Sequence, residues 1–454
     1  MSSTSDVLQN LTPSKFAESI SGFLEAPLPP DVADAALRST VDWFAACLSG
    51  TLDPQAFPVT DAIHNMRSQG HALALDGHRG AAAPVALVNA VLAHAVEFDD
   101  FHLASIFHAG APTFSAVFAL GMDRRCSGSD ILSSFVAGFE VGVQFGLHGC
   151  GLKLAQQGWH PTSILGHLSA AAGCAALLKL NPIQVQHALG HAAVQAGGLM
   201  SSAGTMAKAF AIGKAAMGGV MAAELAERGV IGPTHLLSAD PHGLFPTLFH
   251  ANFDPQLLPI GQTWQITHNT FKPYPSCQLV HASFDAAQAA SRRLAGRLVG
   301  GVRAFVNPFA LTIAKHFNPN TALEARFSLN HSVALGLLGY QAKLEDFMLQ
   351  RVTDEALIDL RQRVQVVADD GVERWSARLE ITCQDGTFFT ETVDAALGSL
   401  GRPMSWSDLE SKFESVATPV FGAGAQELLS ALKNFDDPGA LDIIGSIVSR
   451  APHG

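Results

Sequence analysis

Apolar residues recur at three- and four-residue spacing through most of the first 260 positions. The spacing predicts helices over Val32–Leu48, ending at Gly50, and over Ala82–Val96, Ser129–Phe145, Ser163–Leu178, Pro182–Ala196 and Ala207–Arg228. Gly, Pro and Asn punctuate the intervals between them. The helical segments are rich in Ala and Gly, and small side chains let helix axes approach closely. A buried multi-helix assembly is therefore expected, not a set of surface helices.

The pattern changes near His268. Gly301–Val306 and Arg363–Val367 are short alternating runs with β-branched residues. Arg378–Cys383 and Thr387–Val393 flank Gln384-Asp385-Gly386, a hairpin turn signal. Two helical patterns, Gln278–Leu294 and Arg326–Leu338, lie among these strands. A small α+β domain, its sheet covered by helices on one face, accounts for both. After Gly398–Pro403 the spacing turns helical again at Ser405–Val416 and Ala425–Leu432, which suits C-terminal helices that return to the first domain. No internal repeat or low-complexity tract is present.

Composition supports a folded chain. Of 454 residues, 48% are hydrophobic and only 15% charged, the opposite of a disordered balance. The formal net charge is −12, and no Lys/Arg-rich tract interrupts it. That argues against nucleic acid and against an anionic membrane surface as partners. A small anionic substrate would need a locally cationic pocket. The N-terminus, Met1–Leu11, is Ser/Thr-rich and lacks the pattern of a signal peptide. The most apolar stretches, such as Ser163–Leu178, fall short of a bilayer span. Six scattered cysteines without CxxC or zinc-like spacing suit reduced thiols in a cytoplasmic protein.

Four segments carry candidate chemistry. In the first, His94, Glu97, Asp99, Asp100, His102 and His108 fall within fifteen positions of a chain poor in charge. This reads as an acid–base cluster at a helix end, as a solvated acidic turn with incidental histidines, or as a metal site whose spacing matches no standard motif. In the second, Gly158-Trp-His160-Pro-Thr162-Ser163 opens a helix. Pro161 suits its first turn, and Thr162 and Ser163 can serve the free N–H groups there. Such a start binds carboxylates with His160 beside it, or is simply a capped helix.

In the third, Lys208 and Lys214 stand among small and apolar residues after Ser201–Thr205. Each lysine either snorkels or meets an anion in a pocket, and the order of a phosphate loop is absent. In the fourth, Phe271-Lys272-Pro-Tyr274-Pro-Ser276-Cys277, two prolines stiffen the segment between the domains. It is either a plain linker or a rigid carrier of site residues. Cys277 as a nucleophile has no recognised local signature around it.

Taken together and in this order, these segments resemble the 2-methylcitrate dehydratase (MmgE/PrpD) family, which includes cis-aconitate decarboxylase and iminodisuccinate epimerase. The resemblance rests on Asp42, Glu97–Asp100, Gly158–Ser163, Gly204–Lys208 with Gly213, Lys272–Cys277, Glu324–Ser328, and Gly398–Gly401 ahead of Lys412-Phe413. It implies a mainly α protein: a large all-helical domain built from residues 1–268 and 403–454, and an inserted α+β lid at 269–402. It also implies a homodimer and cofactor-free chemistry, with no metal, on di- and tricarboxylates by proton abstraction next to a carboxylate.

Carried over by position, the resemblance makes His160, Lys208, His108, Glu97 and Asp100 the catalytic set. Lys272, Tyr274, Ser276, Cys277, Thr162 and Ser163 then bind substrate. His160 is expected as base or acid, Lys208 and Lys272 on carboxylates and the enolate, and Glu97 and Asp100 holding or tuning His108. The chain departs from the family at Phe101, where the decarboxylase has threonine, and at Cys277, where it has histidine. Ala209-Phe-Ala211 and His108-Ala-Gly110 are also less polar than the family pattern. The expected activity is a hydro-lyase on a 2-hydroxy polycarboxylate smaller or more apolar than 2-methylcitrate. The epimerase-like Trp-His-Pro-Thr-Ser stretch makes epimerisation through the same enolate the alternative; a cis-aconitate-type decarboxylase and a non-catalytic relative that only binds a carboxylate are the remaining readings.

Overall fold

The computed structural model describes residues 13–147, 150–235, 241–249 and 263–450. The Ser/Thr-rich start read from Met1–Leu11 lies outside the described residues. The chain is mainly α-helical, with small sheets. It divides into two compact units. Within the described residues one runs to Ala95, resumes over Asp99–Asn269 and again from Leu409 on; the other comprises Val96–Phe98 and Thr270–Asp408.

The first unit is helical. Its elements are α1 (Pro13–Ser21), α2 (Pro30–Thr51), α3 (Phe57–His64), α4 (Ala82–His94), α5 (Gly110–Arg124), α6 (Gly128–Gly146), α7 (Cys150–Gln156), α8 (Pro161–Leu177), α9 (Pro182–Ala193) and α10 (Met206–Glu227). A two-stranded hairpin, β1 (Ala72–Leu73) with β2 (Arg79–Gly80), separates α3 from α4. Helices α4, α8 and α10 pack against one another or through α5 and α6, and α8 has no exposed residue. The small residues permit this: a Cβ on Gly50 of α2 would lie 2.1 Å from the Leu92 carbonyl oxygen of α4. An aromatic cluster fills the space beside them, with Trp43 and Phe114 at 4.8 Å between ring centroids and Phe114 and Phe135 at 5.1 Å. The buried Trp43 indole N–H donates to Ser115 Oγ at 3.0 Å, so the ring needs no water. Among the described residues α10 is the one helix long and apolar enough to cross a membrane, and 61% of its most apolar stretch is buried within the protein.

Helix α5 is not among the helices that the apolar spacing predicts. Pro112 falls in the first turn of α5, where the missing N–H has no intrahelical partner to lose.

The second unit holds α11 (His281–Leu294), β3 (Val299–Val306), α12 (Pro308–Ile313), α13 (Ala322–Arg326), α14 (Leu329–Leu337), α15 (Leu349–Val352), α16 (Glu355–Gln362), β4 (Val364–Ala368), β5 (Ala377–Cys383) and β6 (Phe388–Val393). The sheet order is β4-β3-β5-β6, with β3 and β4 parallel and the other pairs antiparallel. Strand β5 alternates buried and less buried positions, so Leu379 and Ile381 join Phe284 of α11 and Val333 of α14 in the core. The β5–β6 turn falls where Gln-Asp-Gly predicts it: Gly386 has φ +85° and the Cys383 N–H donates to the Thr387 carbonyl at 2.8 Å. The helical run expected over Arg326–Leu338 is broken in two, because Ser328 caps α14 by accepting from the His331 N–H. The chain then returns to the helical unit through α17 (Trp406–Phe421), followed by α18 (Gly424–Lys433) and α19 (Ala440–Val448). From Leu409 on, these belong to the first unit.

Candidate active site

Helix α4 is apolar on nearly every side, and its last residue, His94, is buried. The chain beyond folds back through a tight loop in which His102 and Phe107 exchange backbone hydrogen bonds of 2.8 and 3.3 Å. That return places His108 at the start of α5, close to the end of α4. Asp99 Oδ2 lies 2.6 Å from His94 Nδ1 and 3.2 Å from His108 Nδ1. The two imidazoles meet edge to face with centroids 4.9 Å apart, and His160 at the start of α8 lies 6.2 Å from His94.

The partners assign the protons. His94 Nδ1 faces a carboxylate. His108 Nδ1 faces that same oxygen and, at 2.8 Å, the Asp100 carbonyl. All these partners are acceptors, so both rings carry hydrogen on Nδ1. His94 Nε2 is buried with no hydrogen-bond partner among the described residues. His160 pairs through Nδ1 with Ser163 Oγ at 3.0 Å. The donor atoms of His94, Asp99 and His108 lie within 4.8 Å of one another, so the group could also hold a metal ion.

Asp99 supplies a carboxylate to His108 Nδ1, and Asp100 holds that nitrogen through its backbone carbonyl, not through its carboxylate. Both Asp100 oxygens accept from the Gly110 N–H, at 3.0 and 3.1 Å, and Oδ2 accepts from Asn269 Nδ2 at 2.6 Å. Asp100 thus anchors the start of α5. A Cβ at Gly110 would come within 2.9 Å of its oxygens, so only glycine lets the backbone approach. Burial, with repulsion from Asp42 and Asp99, raises the Asp100 carboxyl from its ordinary value to about 7.

Nor do Thr162 and Ser163 cap the helix through their side chains. His160 is the N-cap residue and makes no side-chain cap. Thr162 Oγ1 instead accepts from the His108 N–H at 3.2 Å, and the Ser163 hydroxyl is turned to His160.

His167, one turn into α8, donates from Nδ1 to the Ser163 carbonyl at 2.7 Å, and burial lowers its pKa to about 4. Burial, with repulsion from His268, lowers His102 to about 4 as well. Both are core histidines held neutral. Lys208 is half-buried in the first turn of α10. Gly198 ties that turn to His160. Its carbonyl accepts from the His160 N–H at 3.0 Å, and a Cβ there would lie 2.6 Å from Ser163 Oγ and 3.6 Å from Ala211 of α10. Ala211 is three residues beyond Lys208, on the same face of α10.

Within the second unit, Lys272 and Glu97 are both buried, with Nζ 3.4 Å from Oε2. Glu97 has φ +57°, in the left-handed region. Ser276 and Cys277 are buried, and the Cys277 N–H donates to the Arg326 carbonyl at 2.9 Å. The Tyr274 hydroxyl donates to Asp285 at 2.8 Å, and burial together with that carboxylate pushes the phenol well above its ordinary range. The Asp285 carboxyl is raised by the same burial. In the helical unit, the buried Asp42 and Lys412 pair at 2.6 Å.

Sequence reasoning did not single out Asp99 and His94 as partners. Their five-residue separation spans the end of α4, where neither helical nor extended spacing applies. The usable signal was the adjacent acid pair, since two successive side chains cannot face one histidine.

Two imidazoles, one buried and one half-buried, that share a buried carboxylate are equipped for proton transfer. The chain belongs to the MmgE/PrpD family: residues 14–256 match the MmgE/PrpD N-terminal domain and residues 274–437 the C-terminal domain. It is 27% identical over 457 residues to the cis-aconitate decarboxylase of Homo sapiens, covering 95% of this chain and 93% of that one. It is 28% identical over 374 residues to the cis-aconitate decarboxylase of Mus musculus, covering 78% and 75%. It is 26% identical to the cis-aconitate decarboxylase of Aspergillus terreus (strain NIH 2624 / FGSC A1156), covering 87% and 86%. These relatives are enzymes of the lyase class.

Proposed function

We propose that this chain is a lyase acting on a small di- or tricarboxylate by proton transfer at the His94–Asp99–His108 cluster and His160. The observation that carries the reading is Asp99 Oδ2 shared between two imidazoles, which fixes the tautomer of both rings. Lys208 supplies the positive charge for a substrate carboxylate. A histidine Nε2 takes the proton from the carbon next to that carboxylate, and the charge builds as an enolate. In dehydration the C–O bond then breaks, a C=C bond forms, and a second protonated imidazole gives its proton to the departing hydroxide, releasing water.

Decarboxylation is the second reading, supported by the names of the relatives. There a C–C bond breaks, CO₂ leaves, and the histidine delivers a proton to the carbon. We favour dehydration because Phe101 packs its ring 4.8 Å from that of His108. An apolar ring stands there in place of the hydroxyl that the decarboxylase resemblance calls for.

Proton NMR in D₂O with citrate, 2-methylcitrate, cis-aconitate, malate and iminodisuccinate tests this. A vinyl signal growing from a hydroxy acid supports dehydration. CO₂ release from cis-aconitate supports decarboxylation. Exchange of an α-proton without an alkene moves the reading to epimerisation. Silence with every compound, in folded protein, overturns lyase action on this class. Activity that survives exhaustive chelation removes a metal at the cluster.

A further inference from the structure

We infer that His64, Asp76 and His78 form a binding site for a divalent transition-metal ion of the Zn²⁺ type, on the helical unit and apart from the histidine cluster at His94. His64 is the last residue of α3, and Asp76 and His78 lie in the turn between β1 and β2. Asp76 stands between the two rings: its Oδ2 is 2.7 Å from His64 Nε2 and its Oδ1 is 3.2 Å from His78 Nδ1. One donor atom from each residue lies within 4.8 Å of the other two. Two imidazoles and one carboxylate are a donor set that Zn²⁺ and its neighbours accept, with a water completing four-coordination.

The turn is held independently of any ion. The Leu75 N–H donates to Asn89 Oδ1 at 2.9 Å, Asn89 Nδ2 donates to the Leu73 carbonyl at 3.0 Å, and Gly77 takes φ +91° to close the turn. The two rings are stacked, with centroids 3.8 Å apart and planes 20° apart. The side chains of His64, Asp76 and His78 are 20, 19 and 44% exposed, so an ion can reach them and keep a water ligand. The nearest cation in sequence, Arg79, is turned to the His71 carbonyl and Ser449 Oγ. Position at the C-terminal end of α3 adds a favourable potential for a cation. The bland alternative is a hydrogen-bonded His–Asp–His cluster that binds nothing.

The site would clip the end of α3 to the β1–β2 turn, and it does not depend on the lyase reading. The test is calorimetric titration of the chelator-treated full chain with Zn²⁺, paired with thermal unfolding. We expect one equivalent bound by wild type and a raised melting temperature. His64→Gln, His78→Gln and Asp76→Asn should each weaken that equivalent at least about tenfold and abolish the shift. His191→Gln, a surface control, should leave it intact. Circular dichroism checks folding, and the two partly exposed histidine variants keep the test usable if Asp76→Asn fails to fold. Loss of binding in His108→Gln but not in His78→Gln would put the ion at the other cluster and overturn the inference. Absence of a resolvable equivalent, or binding untouched by all three variants, would overturn it too.

Discussion

Asp99 Oδ2 sits 2.6 Å from His94 Nδ1, and both side chains are buried. The same oxygen is 3.2 Å from His108 Nδ1, so one atom fixes the tautomer of two rings. Asn at this position would keep the shape and replace one acceptor by an N–H₂ donor, forcing a ring to flip its proton. Asp99→Asn should therefore lower kcat/KM by about 10²–10⁴-fold and change the shape of the pH–rate profile. Steady-state kinetics across pH on the folded variant checks this. A simple loss of activity with an unchanged profile would make Asp99 a packing residue.

Lys208→Ala should lower kcat/KM by about a hundredfold or more. One charge-assisted contact to a carboxylate is worth roughly 1.5–3 kcal/mol before any role in stabilising an enolate. Lys208 is half-buried in the first turn of α10, so truncation should leave the fold intact. Near-normal kinetics would remove it from the site.

The buried Asp42–Lys412 pair yields a stability prediction. Nζ and Oδ1 are 2.6 Å apart, and both side chains are almost fully enclosed. Lys412→Met strands a buried carboxylate and should cost about 3–5 kcal/mol. Adding Asp42→Asn should recover part of that, because the uncompensated charge is gone. Urea unfolding of both variants measures the difference. Equal stability of single and double variants would mean that the pair is not coupled.

The fold class was legible because burial writes itself as periodicity. The six helices expected before residue 260 overlap α2, α4, α6, α8, α9 and α10, most ends lying within two residues of those observed. The hairpin at Gln384–Gly386 was legible because its turn has a chemical signature. Helix α5 was not, since Gly110 and Pro112 look like loop residues until Asp100 is seen holding the helix start. The histidine cluster was legible as composition but not as geometry. Six acid and base side chains in fifteen positions signalled a site. Which carboxylate meets which ring depends on the His102–Phe107 return, and no local pattern encodes it.

Glu140 sets a pH dependence of stability. It is buried in α6, and its two oxygens accept from the Gln265 and Ile266 N–H groups at 3.1 and 2.9 Å. Burial raises its carboxyl to about 7, and those hydrogen bonds only partly oppose the rise. In the unfolded chain the group ionises near its ordinary value of about 4.3. Between these values the native state holds a proton that the unfolded state has lost. The stability Glu140 contributes is thus fully present below the unfolded pKa and falls as pH rises toward 7. Asp100, also raised to about 7, acts in the same direction. Glu140→Gln removes its own titration and leaves that of Asp100 in place. Between pH 5 and pH 7.5 wild type should lose about 1–3 kcal/mol more stability than the variant. Urea unfolding at several pH values reads this directly. Parallel curves for the two proteins would mean that Glu140 ionises in its site without penalty, the Gln265 and Ile266 amides compensating for its burial in full.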